Sequence, residues 1–203
     1  MTFVPKKDVL SLEELYQTAT ALIASGIRKI RLTGGEPLIR NDIMWLIKKI
    51  SRLEGLEELT LTTNGSQLVK YADQLRACGI KRINISIDSL DADKFQTITR
   101  TGKLQPVLDG IDAAIDAGFE SIKLNSVILK NRNDDEIIPL INFAKKEGLK
   151  FYRGSEDDVL DRYFQTSKEF NLDKFYIIYG DEPFTDIKTM EENFQLLNLE
   201  IPM

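Results

Sequence analysis

The chain has 203 residues, 42% of them hydrophobic, and a formal net charge of −5. That supplies the core of one domain plus a small appendage, offers no basic surface for nucleic acid, and contains no apolar run near the roughly 20 residues of a membrane helix. One cysteine, Cys78, and no histidine exclude an internal disulfide, imidazole catalysis, and an iron–sulfur cluster held on this chain's own thiols.

Met1 to Asp8 carry no apolar signal segment, so the expected location is cytoplasmic. Ser11-Leu12-Glu13-Glu14 reads as a capped helix start with early acids, and Gly26 as its end. Ile30 and Leu32 alternate with Lys29 and Arg31, the period of a strand, read here as buried. Gly34-Gly35 then brings bare backbone to the strand's carboxyl end, and Pro37 forbids further pairing. Asn41-Asp42 reads as the cap of a helix from Ile43 to about Leu53. Leu59–Thr63 is the next strand, closed by Asn64-Gly65, and Gln67 to Ala77 the next helix. Ile83, Ile85 and Ile87 alternate with Arg82, Asn84 and Ser86 in a third strand. Helices are predicted from Asp91 and from Leu104 to Ala117, a strand over Ser121–Leu129, and a helix from Asp134-Asp135-Glu136 to Lys146.

Strand, loop, helix and glycine recur at intervals of roughly 25 to 40 residues, the pattern of βαβ units and a parallel sheet. A doubly wound sheet and a partial (β/α) barrel both satisfy it. Polar residues at successive strand ends favour the barrel, where they converge on one mouth. Near Lys150 the rhythm changes. Residues 1–150 are read as the core and 151–203 as a divergent tail: an amphipathic helix through Val159, Leu160, Tyr163, Phe164 and Phe170, a strand at Phe175–Tyr179 and a helix from Asp186 to Leu197.

The strand ends offer Arg31, Thr33, Gly34, Gly35 and Glu36; Thr62, Thr63 and Asn64; Ser86, Asp88 and Ser89; and Lys123 and Asn125. Each has a bland alternative as strand former, turn, cap or solvated charge. Their repetition at one end of consecutive strands argues for a ligand site in which cations and hydroxyls face an anion. Cys78, near a helix end, reads as a small hydrophobe.

Arg31-Leu32-Thr33-Gly34-Gly35-Glu36-Pro37-Leu38-Ile39-Arg40, Thr62-Thr63-Asn64-Gly65, Asn84-Ile85-Ser86-Ile87-Asp88-Ser89-Leu90, Lys123-Leu124-Asn125 and Asn133-Asp134-Asp135-Glu136 resemble, in order and spacing, motifs of the molybdenum cofactor biosynthesis protein A family. These are GTP 3',8-cyclases of the radical S-adenosylmethionine enzymes. The resemblance covers about residues 3 to 150. It implies a partial (β/α) barrel lacking its first strand. It implies a [4Fe–4S] cluster and S-adenosylmethionine as cofactors, a radical taking hydrogen from the ribose of GTP, and a product on the way to molybdopterin. By matching position, Gly35 and Ser86 would contact S-adenosylmethionine, and Arg31, Thr62 and Lys123 would contact GTP. The family's cluster cysteines, in a Cys-x3-Cys-x2-Cys loop, would precede Thr2, and the tail carries no cysteine. The expectation is therefore a truncated core that holds no cluster and does not cyclise GTP alone. The alternatives are a non-catalytic nucleotide-binding or protein-interaction module, and an unrelated (β/α) enzyme working through Glu36 and Asp88. Loss of a first strand would leave Lys29–Thr33 as an open edge, to be covered by Phe175–Tyr179 or by a second copy of the chain.

Overall fold

The computed structural model describes residues 9–149. Four strands, Lys29–Leu32 (β1), Glu58–Thr63 (β2), Arg82–Ser86 (β3) and Ser121–Asn125 (β4), form one parallel sheet in the order β1-β2-β3-β4. Helix Leu12–Ala24 (α1) precedes β1. Ile43–Ile50 (α2), Leu68–Ala77 (α3), Ala92–Thr99 (α4), Leu104–Asp116 (α5) and Ile137–Lys146 (α6) follow the strands in turn. A doubly wound sheet reverses its strand order at a switch point. This one advances by one neighbour at every crossover, as a partial (β/α) barrel does, so the barrel expectation holds and the doubly wound alternative falls.

The alternation read from the sequence decides what each face of the sheet does. Leu59, Leu61, Ile83, Ile85 and Ile122 are buried on one face. They join Leu46, Ile47, Ile50, Leu68, Leu75 and Ile111 from the helices in one core. Burying a side chain such as Ile85 completely contributes about 1.5–3 kcal/mol. The opposite face carries the intervening polar residues.

Local chemistry explains most element ends. Ser11 and Glu14 form a reciprocal capping box at the start of α1: the Glu14 amide donates to Ser11 Oγ at 3.1 Å and the Ser11 amide to Glu14 Oε2 at 2.7 Å. Asp91 caps α4, accepting from the amides of Asp93 and Lys94. Four expectations need correction. Asp42 stands before α2 in the left-handed region (φ 57°) and makes no side-chain cap bond; the Trp45 amide bonds its carbonyl instead, at 2.8 Å. Helix α2 stops at Ile50, because the Arg52 and Leu53 amides tighten onto the carbonyls of Lys49 and Ile50. Strand β4 stops at Asn125 and does not run to Leu129. Side chains take over the amides beyond it, Asp88 from Val127 at 2.8 Å and Asn133 from Leu129 at 2.7 Å. Strand β1 is not buried: Lys29 and Arg31 are exposed and Ile30 and Leu32 half-buried, since β2 is its one strand neighbour among the described residues. The helices and strand expected between Val159 and Leu197, including the edge-covering Phe175–Tyr179, lie outside the described residues.

Gly110 shows how closely α5 approaches the turn after β2. A Cβ there would stand 2.2 Å from the Gly65 carbonyl oxygen. Gly110→Ala gains roughly 1 kcal/mol of helix propensity but forces apart two backbones, and overpacking of that kind costs about 1–3 kcal/mol or more. The clash wins: the variant should unfold at lower denaturant than the parent chain. A midpoint equal or higher would show that the helix–turn contact is looser than described.

Candidate functional site

Residues paired across parallel strands project to the same face. Arg31 pairs with Thr60, Thr62 with Asn84, Asn84 with Lys123, Arg82 with Ser121, and Ser86 with Asn125. All of these therefore share the polar face. Four of the five residues singled out from the sequence, Arg31, Thr62, Ser86 and Lys123, come together on it. The face is layered. Arg31, Thr60, Arg82 and Ser121 lie on the lower rung, Thr62, Asn84 and Lys123 form the next rung across three strands, and Ser86 is the last residue of β3. Arg31 Nε donates to Thr60 Oγ1 at 3.3 Å. Arg82 is held by the Glu58 carboxylate, which also stands 3.9 Å from Lys29 Nζ. Thr62, Asn84, Ser86 and Lys123 are half-buried, neither sealed in the core nor fully in water.

Gly35, the fifth residue, lies in the exposed loop at the carboxyl end of β1. Gly34 beside it takes φ +133°, which L side chains rarely adopt, and a Cβ on either glycine would meet nothing within 4 Å. The loop thus presents open backbone. Glu36 fixes it. Its carboxylate accepts from the Leu38 amide at 3.0 Å, from Thr63 Oγ1 at 2.7 Å and from the Asn64 amide at 2.5 Å, stapling the loop to the carboxyl end of β2. A second clamp joins the loops after β3 and β4. Asn133, fully buried, donates to the carbonyls of Asp88 and Val127 at 2.7 and 3.0 Å and accepts from the Leu129 amide. Glu136, also buried, accepts from the Leu90 amide at 2.7 Å and from Lys94 Nζ at 3.2 Å. The sequence reading took Asp134-Asp135-Glu136 for the start of a helix, held Asn133 only as part of a family motif, and missed these roles. The signal available was an Asn and a Glu placed immediately before the apolar run of α6.

The electrostatics of the polar face follow from its cations. Burial strips water from the Lys123 ammonium, and the guanidinium charges of Arg82 and Arg31 repel it, so its pKa lies below the usual lysine value. Glu58 already balances Arg82; the Arg31 and Lys123 charges beside that pair suit an anion. Cys78 has the opposite character: burial pushes its thiol up, against the smaller pull of Lys48 and Arg52. It is not an activated thiolate. A surface hollow of about 460 Å³, lined by residues that include Arg40, Asp42, Gln67, Lys70 and Tyr71, shares no residue with the polar face. Among the described residues no three His, Cys, Asp or Glu side chains converge as a metal site, and no helix is long and apolar enough to cross a membrane.

The family model for the radical SAM superfamily matches residues 2–144. A GTP 3',8-cyclase of Marinobacter nauticus is 57% identical over 147 residues, 72% of this chain and 44% of that protein. A GTP 3',8-cyclase of Pseudomonas fluorescens is 56% identical over 149 residues, 73% of this chain and 45% of that protein. The chain thus spans less than half the length of these curated relatives. Among solved structures it resembles HydG, a maturase of the [FeFe]-hydrogenase, with a TM-score of 0.54 at 15% identity over 68% of this chain and 33% of that one. It also resembles methylornithine synthase (PylB), with a TM-score of 0.53 at 14% identity over 69% of this chain and 42% of that one. These last two establish the fold alone.

Two outcomes follow from the site. Replacing Glu36 by Ala leaves two backbone amides and a hydroxyl without their acceptor, and should lower stability by about 1.5–3 kcal/mol; chemical denaturation that finds no loss would show that the loop is held by other means. Replacing Arg82 by Gln removes one repulsive neighbour from Lys123. Since burial and repulsion both favour the neutral amine, the ammonium should then titrate at higher pH than in the parent chain, as NMR of the lysine side chain would read. A fall, or no change, would place Arg82 away from Lys123.

Proposed function

Because the chain belongs to the radical SAM superfamily, we propose that its polar sheet face is the substrate and cofactor cleft of a GTP 3',8-cyclase core of molybdenum cofactor biosynthesis. The observation that carries this reading is the layering of the face: the guanidiniums of Arg31 and Arg82 share one rung, Thr62, Asn84 and the Lys123 ammonium the next, and the Ser86 hydroxyl the one above, with an open glycine loop at the carboxyl end of β1. These cations suit a triphosphate, because guanidinium and ammonium groups bind phosphate oxygens directly. Arg31 and Lys123 take the phosphates and Thr62 offers a hydroxyl beside them. Ser86 and the backbone at Gly35 take S-adenosylmethionine at the mouth. In an enzyme that also held a cluster, S-adenosylmethionine placed there would supply a radical toward the ribose of GTP. Glu36 holds the glycine loop in place for that cofactor, while Asn133 and Glu136 hold the loops that follow Ser86 and Lys123.

The residues present do not fit the cluster that such cleavage requires. Cluster ligation takes several thiolates, and Cys78 is the one cysteine among 203 residues, half-buried at the carboxyl end of helix α3 with its thiol pushed up. The 203-residue chain by itself is accordingly a binding unit without turnover; thiolate ligands for a cluster would have to come from outside it. Residues 1–150 make up the incomplete core and 151–203 a divergent tail. The outer edge of β1 is completed by a strand from outside residues 9–149 or by a second copy of the chain. The location is cytoplasmic, where GTP and S-adenosylmethionine are available.

Calorimetric titration tests the reading. The chain should bind GTP, and Lys123→Ala should weaken that binding about tenfold or more, as expected for the loss of a charged partner worth about 1.5–3 kcal/mol. GTP affinity unchanged in both Lys123→Ala and Arg31→Ala would move the nucleotide off this face.

A further inference from the structure

Asn84 was assigned no role from the sequence. It occupies the centre of the rung, flanked in register by Thr62 on β2 and Lys123 on β4. It is half-buried, and its carboxamide takes part in none of the side-chain hydrogen bonds formed among the described residues. Buried polar groups are ordinarily hydrogen-bonded, and a half-buried carboxamide without a protein partner is open to water or to a ligand. Glu36 and Asn133, which hold the loops, each have three hydrogen-bond partners, whereas Asn84 shares with Thr62 and Ser86 a polar group turned to the face and not used among the described residues. An amide also brings what its neighbours lack, two donors and an acceptor in one planar group.

Its height in the cleft matters as much. Two residues before it on β3 is Arg82, on the rung below, and two residues after it is Ser86, at the mouth. A nucleotide whose phosphates run from Arg31 up to Lys123, and whose reacting carbon must face a cofactor at the mouth, has its sugar beside that ammonium, next to Asn84 and one layer below Ser86. We propose that Asn84 orients that sugar, its carboxamide hydrogen-bonding the ribose hydroxyls of the bound nucleoside triphosphate. Asn84 would then be the residue that distinguishes a ribonucleotide from a dideoxynucleotide. This rests on the reading of the face as a GTP cleft and adds to it the group that reads the sugar. A site built to hydrogen-bond a hydroxyl discriminates against the ligand lacking it, because its own polar group is then left unpaired.

The test is a thermodynamic cycle on the 203-residue chain, with calorimetric titration of the parent, Asn84→Ala and Asn84→Ser by GTP and by 2',3'-dideoxy-GTP. The parent should prefer GTP by about tenfold, the equivalent of one to two net hydrogen bonds. Asn84→Ala should weaken GTP binding about tenfold and leave the dideoxy analogue unchanged, bringing the ratio of the two affinities close to one. Asn84→Ser, which keeps a polar side chain too short to reach the sugar, should do the same, and it carries the test if the alanine variant does not fold. A parent without preference, or folded variants that keep the parent's ratio, would overturn the role of Asn84 and leave the cleft standing. A parent chain that binds neither nucleotide would overturn the cleft itself.

Discussion

Everything in this molecule depends on the pairing register of its parallel strands. A slip of one residue between β2 and β3 would turn Asn84 and Ser86 toward the helices and bring Ile83 and Ile85 out onto the polar face. The core forbids it. Leu61, Ile83 and Ile85 have essentially no exposed surface, and each would lose about 1.5–3 kcal/mol of burial on reaching water. The apolar half of the alternation thus fixes the polar half, and the same energy that folds the sheet gathers Arg31, Thr62, Ser86 and Lys123 on one side.

The carboxylates serve backbone, and that bears on the chemistry. Glu36 and Asp88 were the candidates for an acid–base enzyme on the same scaffold. Glu36 already accepts from two amides and a hydroxyl, and Asp88 from the Val127 amide. Glu136 does the same for the Leu90 amide and adds Lys94. Charge-assisted bonds to otherwise orphaned amides are among the stronger ones available. Their effect is to fix the loops at the carboxyl ends of the strands, where a (β/α) architecture keeps its functional groups. The polar face carries cations, hydroxyls and an amide, with its Glu58 carboxylate taken up by Arg82. Under the reading proposed above it suits positioning an anionic substrate better than moving its protons.

Much of this was legible in the sequence because local and long-range signals agreed. The capping pair Ser11 and Glu14, the Asp91 cap and the alternation in β2 and β3 gave elements whose ends differ from the structure by a residue or two. The sharing of a face by Arg31, Thr62, Ser86 and Lys123 followed from period 2 plus parallel pairing. What escaped reading was set by contacts between segments distant in the chain. Strand β4 is cut short because Asp88 and Asn133 capture the amides that a longer strand would have paired. Strand β1 is half-exposed because of its place in the sheet, which alternation cannot report. The clamps by Glu36 and Asn133 join residues 27 or 28 and 45 positions apart. Asn84 escaped because an amide inside an alternating strand reads as one more polar residue until its neighbours across the sheet are known.

The central claim is that one face of the sheet, and not the helical exterior, receives the nucleotide. NMR of the chain titrated with GTP reads this directly. The Thr62 methyl, the Asn84 carboxamide and the Lys123 ammonium should shift together along a single binding curve, while the residues lining the hollow near Lys70 and Tyr71 stay in place. Shifts confined to that hollow or to the outer faces of the helices, with the rung silent, would contradict the account.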